Sequence, residues 1–311
     1  MSMNPDAAVV GPPSARSVRR WGRLLLADKM LAAGAIVLLV AFVAAVFGPL
    51  IAPYGLHEQV GPVYGEPSWS HPLGLDDGGI DVLTVLLHGA RTSILVGCAA
   101  AAVALVVGGA IGVIAGYVGG WVDTLLMRVT DYFIVIPAIP LMIAVAAVWG
   151  ASLLHVILVI GLLSWTRTAR LLRAQTKTVR ERGFVKRAGS LGASHTRTLT
   201  RHVLPHLTPL IVACTVLTIA EAVFAEAALA FLGLSSPTAP SWGRMIATAF
   251  ERTAVTYGAW WAIVPPGVCI TLVVLACNAA GLAIEERLNP KLRAAHLSKR
   301  SFRVLRRGET P

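Results

Sequence analysis

The sequence predicts an all-α integral membrane protein with six transmembrane helices and both termini in the cytoplasm. Three observations carry this. Only 14% of the 311 residues are charged while 56% are hydrophobic, against roughly 25% charged in a soluble domain. Charge-free runs are long: Met30–Ile51 covers 22 residues and Thr92–Val122 covers 31, and about 20 apolar residues suffice for one helical crossing. Finally, 23 of the 27 Lys and Arg residues fall in three regions, 1–29, 167–201 and 284–311. An even number of crossings puts all three on one face, which the positive-inside rule makes the cytoplasmic one. A transmembrane β-barrel needs alternating segments of about 10 residues, and none is present.

The spans are expected near 30–51, 92–118, 126–148, 152–172, 206–231 and 259–284. The first follows a basic segment, 1–29, and ends in "FGPLIAPYG" rather than a small-residue cleavage site, so it reads as a retained helix. The third and fourth divide one run, Tyr132–Thr166, that is 35 residues without a charge. As a single helix it measures about 52 Å against a hydrocarbon core of ~30 Å. Gly150–Ser152 supplies a turn near its middle, and Pro137 and Pro140 predict a kink in the third span. In the second span Gly108, Gly112, Gly116 and Gly120 recur every fourth residue, a small-residue stripe that lets helices pack main chain to main chain.

The net charge of +11 sits beside spans and faces membrane lipid; nucleic acid is not an expected partner. Cys98, Cys214, Cys269 and Cys277 all lie inside apolar runs without a CxxC pair, which fits helix packing rather than a disulfide framework or a metal site. His71, His88, His195, His202 and His206 show no ligand spacing with carboxylates, so no metal site is expected. Glu221 and Glu226 lie within the fifth span. Ionisable groups at membrane depth are costly and point to function, so both are candidates for a translocation path or gate. Their spacing sets them about 140° apart around the helix.

Between the fourth and fifth spans, 173–205 forms a basic loop far longer than a simple helix connection. "RAGSLGAS" is small and helix-compatible, Gly192 bends the chain, and "HVLP" ends a second short helix. This predicts a helix–turn–helix lying against the inner membrane face and offering a ridge of small residues to a partner.

That loop resembles the EAA loop of ATP-binding-cassette importer permeases, in which Glu-Ala-Ala, three residues and Gly are followed about a dozen residues on by Leu-Pro. The matching positions are Lys186, Arg187 and Ala188, then Gly192, then Leu204 and Pro205, with basic residues replacing the family's Glu and first Ala. "HPLGLDDGGIDVLTVLLHGARTSI" (71–94), "AEAALAFLGLSSPTAPSWGRMI" (225–246), "WW" at 260–261, "VPPG" at 264–267 and "ERLNP" at 286–290 resemble, in order, the dipeptide/oligopeptide/nickel branch, and within it the C-type subunit. The resemblance implies a type I importer permease architecture over 30–290, followed by a basic cytoplasmic tail, 291–311. It implies a multi-pass cell-membrane subunit of a peptide importer, paired with a homologous permease, one or two ATP-binding subunits and an extracytoplasmic substrate-binding protein. Lys186, Arg187, Ala188, Gly192, Ala193, Ser194, Leu204 and Pro205 then form the coupling surface. The outer segment 52–91, acidic through Glu58, Glu66, Asp76, Asp77 and Asp81, is a candidate lid with Asp76, Asp77, Asp81 and Arg91 as binding-protein contacts; 232–258 is the second outer segment.

No GxxxxGK[ST] phosphate loop occurs, so the chain is expected to carry no cofactor and to rely on ATP and Mg held by its partners. The competing function is a secondary transporter, supported by the two intramembrane glutamates; nickel or another small solute is the competing cargo. An integral-membrane enzyme lacks its polar constellation here.

Overall fold

The computed structural model describes residues 29–150, 152–236 and 238–288. Nearly all of the basic N-terminal segment, the tail 291–311 and the end of the "ERLNP" motif lie outside them. Among the described residues the protein is all-helical, with five helices long and apolar enough to cross a membrane and a sixth crossing if one bent pair counts as a single span.

Helix α1, Lys29–Ile51, is apolar on every side. Ile36, Leu39, Val40 and Phe42 point outward and stay exposed. Such a face belongs in lipid, since helices in a bilayer associate by close packing rather than by hiding apolar surface. Gly48 provides that packing, set against the main chain of Leu87.

Helix α2, Val82–Val118, begins ten residues earlier than the charge-free run predicts. A charge does not end a helix at the membrane boundary; a cap does. Asp81 is that cap, accepting from Thr84 N at 2.8 Å and from Thr84 Oγ1 at 2.9 Å. The outer segment outside helix therefore ends at residue 81, not 91. Asp81 is also fully buried, so it is not available to a partner protein, contrary to the expectation from sequence. Asp81→Ala is expected to cost about 1–2 kcal/mol and Asp81→Asn much less; equal thermal unfolding of the two variants in detergent would remove the capping role.

Three of the four expected stripe glycines meet helix α5, Leu153–Arg180. A Cβ on Gly108, Gly112 or Gly116 collides with the main-chain carbonyl of Trp165, Ala169 or Arg173. The spacing of four is repeated on both helices, so the two backbones run together as a seam. Gly161 completes it from the other side, against Val103 and the Ala100 carbonyl. Gly120 is not part of the seam: it lies beyond the helix end at φ 59° with open space around it.

The third crossing is broken rather than kinked. Helices α3, Gly120–Val135, and α4, Ala138–Trp149, meet at 85°. Pro137 forces the residue before it out of the helical region, and Ile136 indeed sits at φ −75°, ψ 127°. Pro140 falls in the first turn of α4, where a missing N–H costs nothing. Gly150, at φ 84°, then turns the chain toward α5, in the short connection expected at Gly150–Ser152.

After α5 come α6, Gly183–Ser190, and α7, His195–Thr198. The expected stop at "HVLP" does not occur. A π turn, Leu199–Val203, leads directly into α8, Leu204–Phe231. Pro205 lies in the first turn of α8, and the wider turn, closed by Leu204 N to the Leu199 carbonyl, accommodates the proline without interrupting the helix. Helix α9, Trp242–Glu251, and α10, Val264–Leu288, are the last helices of the described residues.

Residues 52–81 fold onto 242–262 rather than standing free. Tyr64 donates to the Arg252 carbonyl at 2.8 Å, and Trp261 Nε1 donates to the Leu75 carbonyl at 3.1 Å. Tyr64, Val82, Ala249, Ala254, Ala259, Trp261 and Ala262 form a small core beneath. The result is a closed cap at one end of the bundle, opposite the end that carries α6 and α7.

Candidate functional site: a coupling surface and a charged membrane face

Residues 183–198 form a helix and turn as the sequence predicts, but the second helix is not the separate short one expected: from His195 it runs on into the fifth span. Gly192 makes the turn at φ 82°, a conformation that strains any residue with a Cβ. Ser194 caps α7 by accepting from Arg197 N, and Ala193 N donates to the Ala188 carbonyl. Lys186, Arg187, Gly192 and Ser194 are exposed, Ala188 and Ala193 half-buried. Lys186 has a partner within the chain, Glu181, at 2.7 Å. The ammonium holds that carboxyl below its usual range. The ridge therefore presents mainly Arg182, Arg187 and Arg197 outward.

What fixes this element to the bundle was not read from the sequence. Val185 is buried in one core with Val113 of α2, Leu172 and Val179 of α5, and Val203 and Leu207 of the π turn and α8; Leu204 packs against the same core. Phe184 stacks on His206 with ring centroids 4.8 Å apart. The signal was present as the apolar pair Phe184–Val185 amid the basic residues of the loop. Because Val185 is buried in a core built from three membrane helices, α6 is anchored to that end of the bundle. Pro205 stays exposed at the start of α8. A cleft of about 840 Å³ separates α6 from the end of α2 and is lined by Tyr117, Arg180, Glu181, Lys186, Ala193 and His195 among others.

Along α5 runs a series of ion pairs. Arg167 reaches Glu221 of α8 at 2.5 Å and Arg170 reaches Asp131 of α3 at 2.6 Å. Arg173 and Lys177 share Asp123 of α3, the lysine at 2.6 Å. Glu221, a candidate for the path, is thus exposed but paired. Glu226 takes a different place. It is fully buried, accepts from Ser93 Oγ at 3.1 Å, and Ser93 in turn accepts from Trp242 N at 3.2 Å. This ties α2, α8 and α9 together through hydroxyl and amide. Glu226 is a packing residue here, not a lining one.

At the cap, Asp76 organises a turn by accepting from Gly78 N and Ile80 N at 2.8 and 2.9 Å. Burial pushes its carboxyl up, against those two amides. Asp77 lies 3.5 Å from Arg252, and Arg91 is exposed.

A bundle of membrane-crossing helices that fixes a helix–turn–helix at one end and a folded cap at the other is the architecture of a transport-system membrane subunit. Residues 108–294 match the family described as binding-protein-dependent transport system inner membrane component, and residues 18–64 match the N-terminal TM domain of oligopeptide transport permease C. The chain belongs to this family of ATP-binding-cassette importer permeases, whose members act in the inner membrane with an ATPase and a substrate-binding protein. It is 35% identical to the di/tripeptide transport system permease protein DppC of Pseudomonas aeruginosa over 274 residues, 84% of this chain and 88% of the relative. To the dipeptide transport system permease protein DppC of Bacillus subtilis it is 33% identical over 297 residues, 93% and 91% of the two chains. To that of Alkalihalophilus pseudofirmus it is 34% identical over 271 residues, 86% and 88%.

Proposed function

We propose that this permease subunit serves an importer of di- or oligopeptides. The observation that supports this most is the near full-length similarity to permeases named for dipeptide and di/tripeptide transport. In this reading both termini and the loop 173–205 face the cytoplasm, and the cap faces outward. A homologous permease supplies the other half of the path. ATP and Mg bind the ATPase subunits, and this chain holds no nucleotide site. Ala188, Gly192, Ala193 and Ser194 seat in the ATPase, and the Arg-rich flank pairs with acidic residues there. Asp76, Asp77 and Arg91 remain the candidates for contact with the binding protein.

The test is co-purification of the tagged full chain with its partners, paired with ATP-driven uptake of a labelled dipeptide into vesicles. Gly192→Trp adds bulk on the open turn and removes the only residue at ease with its backbone angle. The expected result is recovery of ATPase and second permease with the unaltered chain, and loss of the ATPase alone with Gly192→Trp. A chain that purifies alone and moves solute under an ion gradient without ATP would overturn the reading.

A further inference from the structure

The ion pairs on α5 do not sit where a lipid-facing or an ordinary packed residue can sit. Arg167 lies fourteen residues into α5, about 21 Å along it. Its partner Glu221 lies about 25 Å from one end of α8 and ~15 Å from the other. The pair therefore lies within the apolar spans, with Arg167 about 8 Å from the cytoplasmic end of the span expected at 152–172. Yet its side chains are 63% and 45% exposed, and those of Arg170 and Asp131 are 50% and 59% exposed. Charges left open to hydrocarbon at that depth cost several kcal/mol. The outward face of α1, by contrast, is wholly apolar. Arg167, Arg170, Arg173 and Lys177 lie within about 120° of one another around α5 and descend ~15 Å toward its coupling end.

We propose that this face lines the aqueous translocation path, and that the Arg167–Glu221 pair is a site within the spans for the charged ends of a zwitterionic substrate. The inference rests on the importer reading above and deepens it. A free peptide carries an ammonium and a carboxylate, and each matches one member of the pair. The guanidinium takes the carboxylate in a planar fork, and Glu221 takes the ammonium. The substrate thus replaces one ion pair by two, so entering the site strands no charge. Arg170–Asp131 and Arg173–Asp123–Lys177 repeat the same chemistry along the way out.

The experiment uses the complete transporter in inverted membrane vesicles, with the four native cysteines of this chain replaced by alanine and Ser164→Cys as reporter one turn from Arg167. Leu191→Cys, on the exposed turn before Gly192, serves as the reagent control. The probes are a charged, membrane-impermeant thiosulfonate, a dipeptide with free termini, and the same dipeptide N-acetylated and amidated. The reporter is expected to react, and the free dipeptide to slow it about tenfold, the worth of a charge-assisted hydrogen bond, while the blocked dipeptide does not. Glu221→Gln or Arg167→Gln should abolish protection and leave the unprotected reaction intact. A reporter that stays inert while the control reacts places the face at a dry protein interface and overturns the proposal. So does protection that ignores the blocked termini or survives both substitutions. Failure of ATP-driven dipeptide uptake by the unaltered transporter in proteoliposomes with ATP inside and binding protein outside strikes the peptide reading instead; the reaction of the reporter without substrate still reports whether the face is wet.

Discussion

Gly112→Ala is expected to destabilise the bundle by about 1–3 kcal/mol, whereas Gly109→Ala, three positions earlier, leaves it unchanged or firmer. The two glycines share a helix and a membrane depth, so composition does not separate them. Their neighbours do. A methyl on Gly112 enters the Ala169 carbonyl and stands 3.0 Å from the Ala169 Cα, all main chain. A backbone cannot rotate away as a side chain can, so α2 and α5 must part, and Gly108 and Gly116 lose contact with them. A methyl on Gly109 meets only the ends of Leu172 and Leu105 at 3.7 and 3.8 Å, an ordinary contact, and gains up to about 1 kcal/mol of helix propensity. Thermal unfolding in detergent, followed by the recovery of monodisperse protein, compares the two. Equal behaviour would mean that the seam is not held main chain to main chain.

Asp123→Ala should be the most damaging loss of a charge, at about 2–3 kcal/mol, while Asp131→Ala costs under ~1 kcal/mol. Asp123 is buried and holds both Arg173 and Lys177; its removal leaves two cations with no counterion on a half-covered face. It also lies in the first turn of α3, where a negative charge favours the helix. Asp131 holds one arginine, and both groups are largely open. The same thermal assay ranks the pair, with Asp123→Asn expected between unaltered and alanine because it keeps an acceptor. A ranking in which Asp131→Ala does equal harm would show that burial is not what sets the value of these pairs.

The parts of this fold legible in sequence were those written in local patterns. Charge-free runs give the crossings, the Lys and Arg clusters suggest their sidedness, and the Gly108–Gly116 spacing gives a helix seam. Gly192 marks the turn of the coupling element because only its backbone conformation demands that residue. Boundaries were lost where hydrogen bonds, not hydropathy, decide them: Asp81 starts α2 before its apolar run, and a π turn carries the chain through Pro205. The ion pairs join residues 39 to 54 positions apart, a separation that no spacing rule reaches, so Glu221 was singled out without Arg167. Glu226 was legible as costly but not as buried, since the hydroxyl that donates to its Oε2 comes from Ser93, 133 residues away.

Helix α2 also has a mechanical meaning. Its 37 residues make an unbroken rod of about 55 Å, capped by Asp81 at the outer fold and closed against Val185 and Arg180 at the other end. Because α5 is seamed to its second half, the rod cannot bend freely there and moves by pivoting. A pivot of only ~5° displaces the far end of such a rod by about 5 Å. Under the proposed coupling, small closures of an ATPase at the α6 end would be geared into ångström-scale displacements of the cap at the opposite end, with no hinge in between to absorb the stroke.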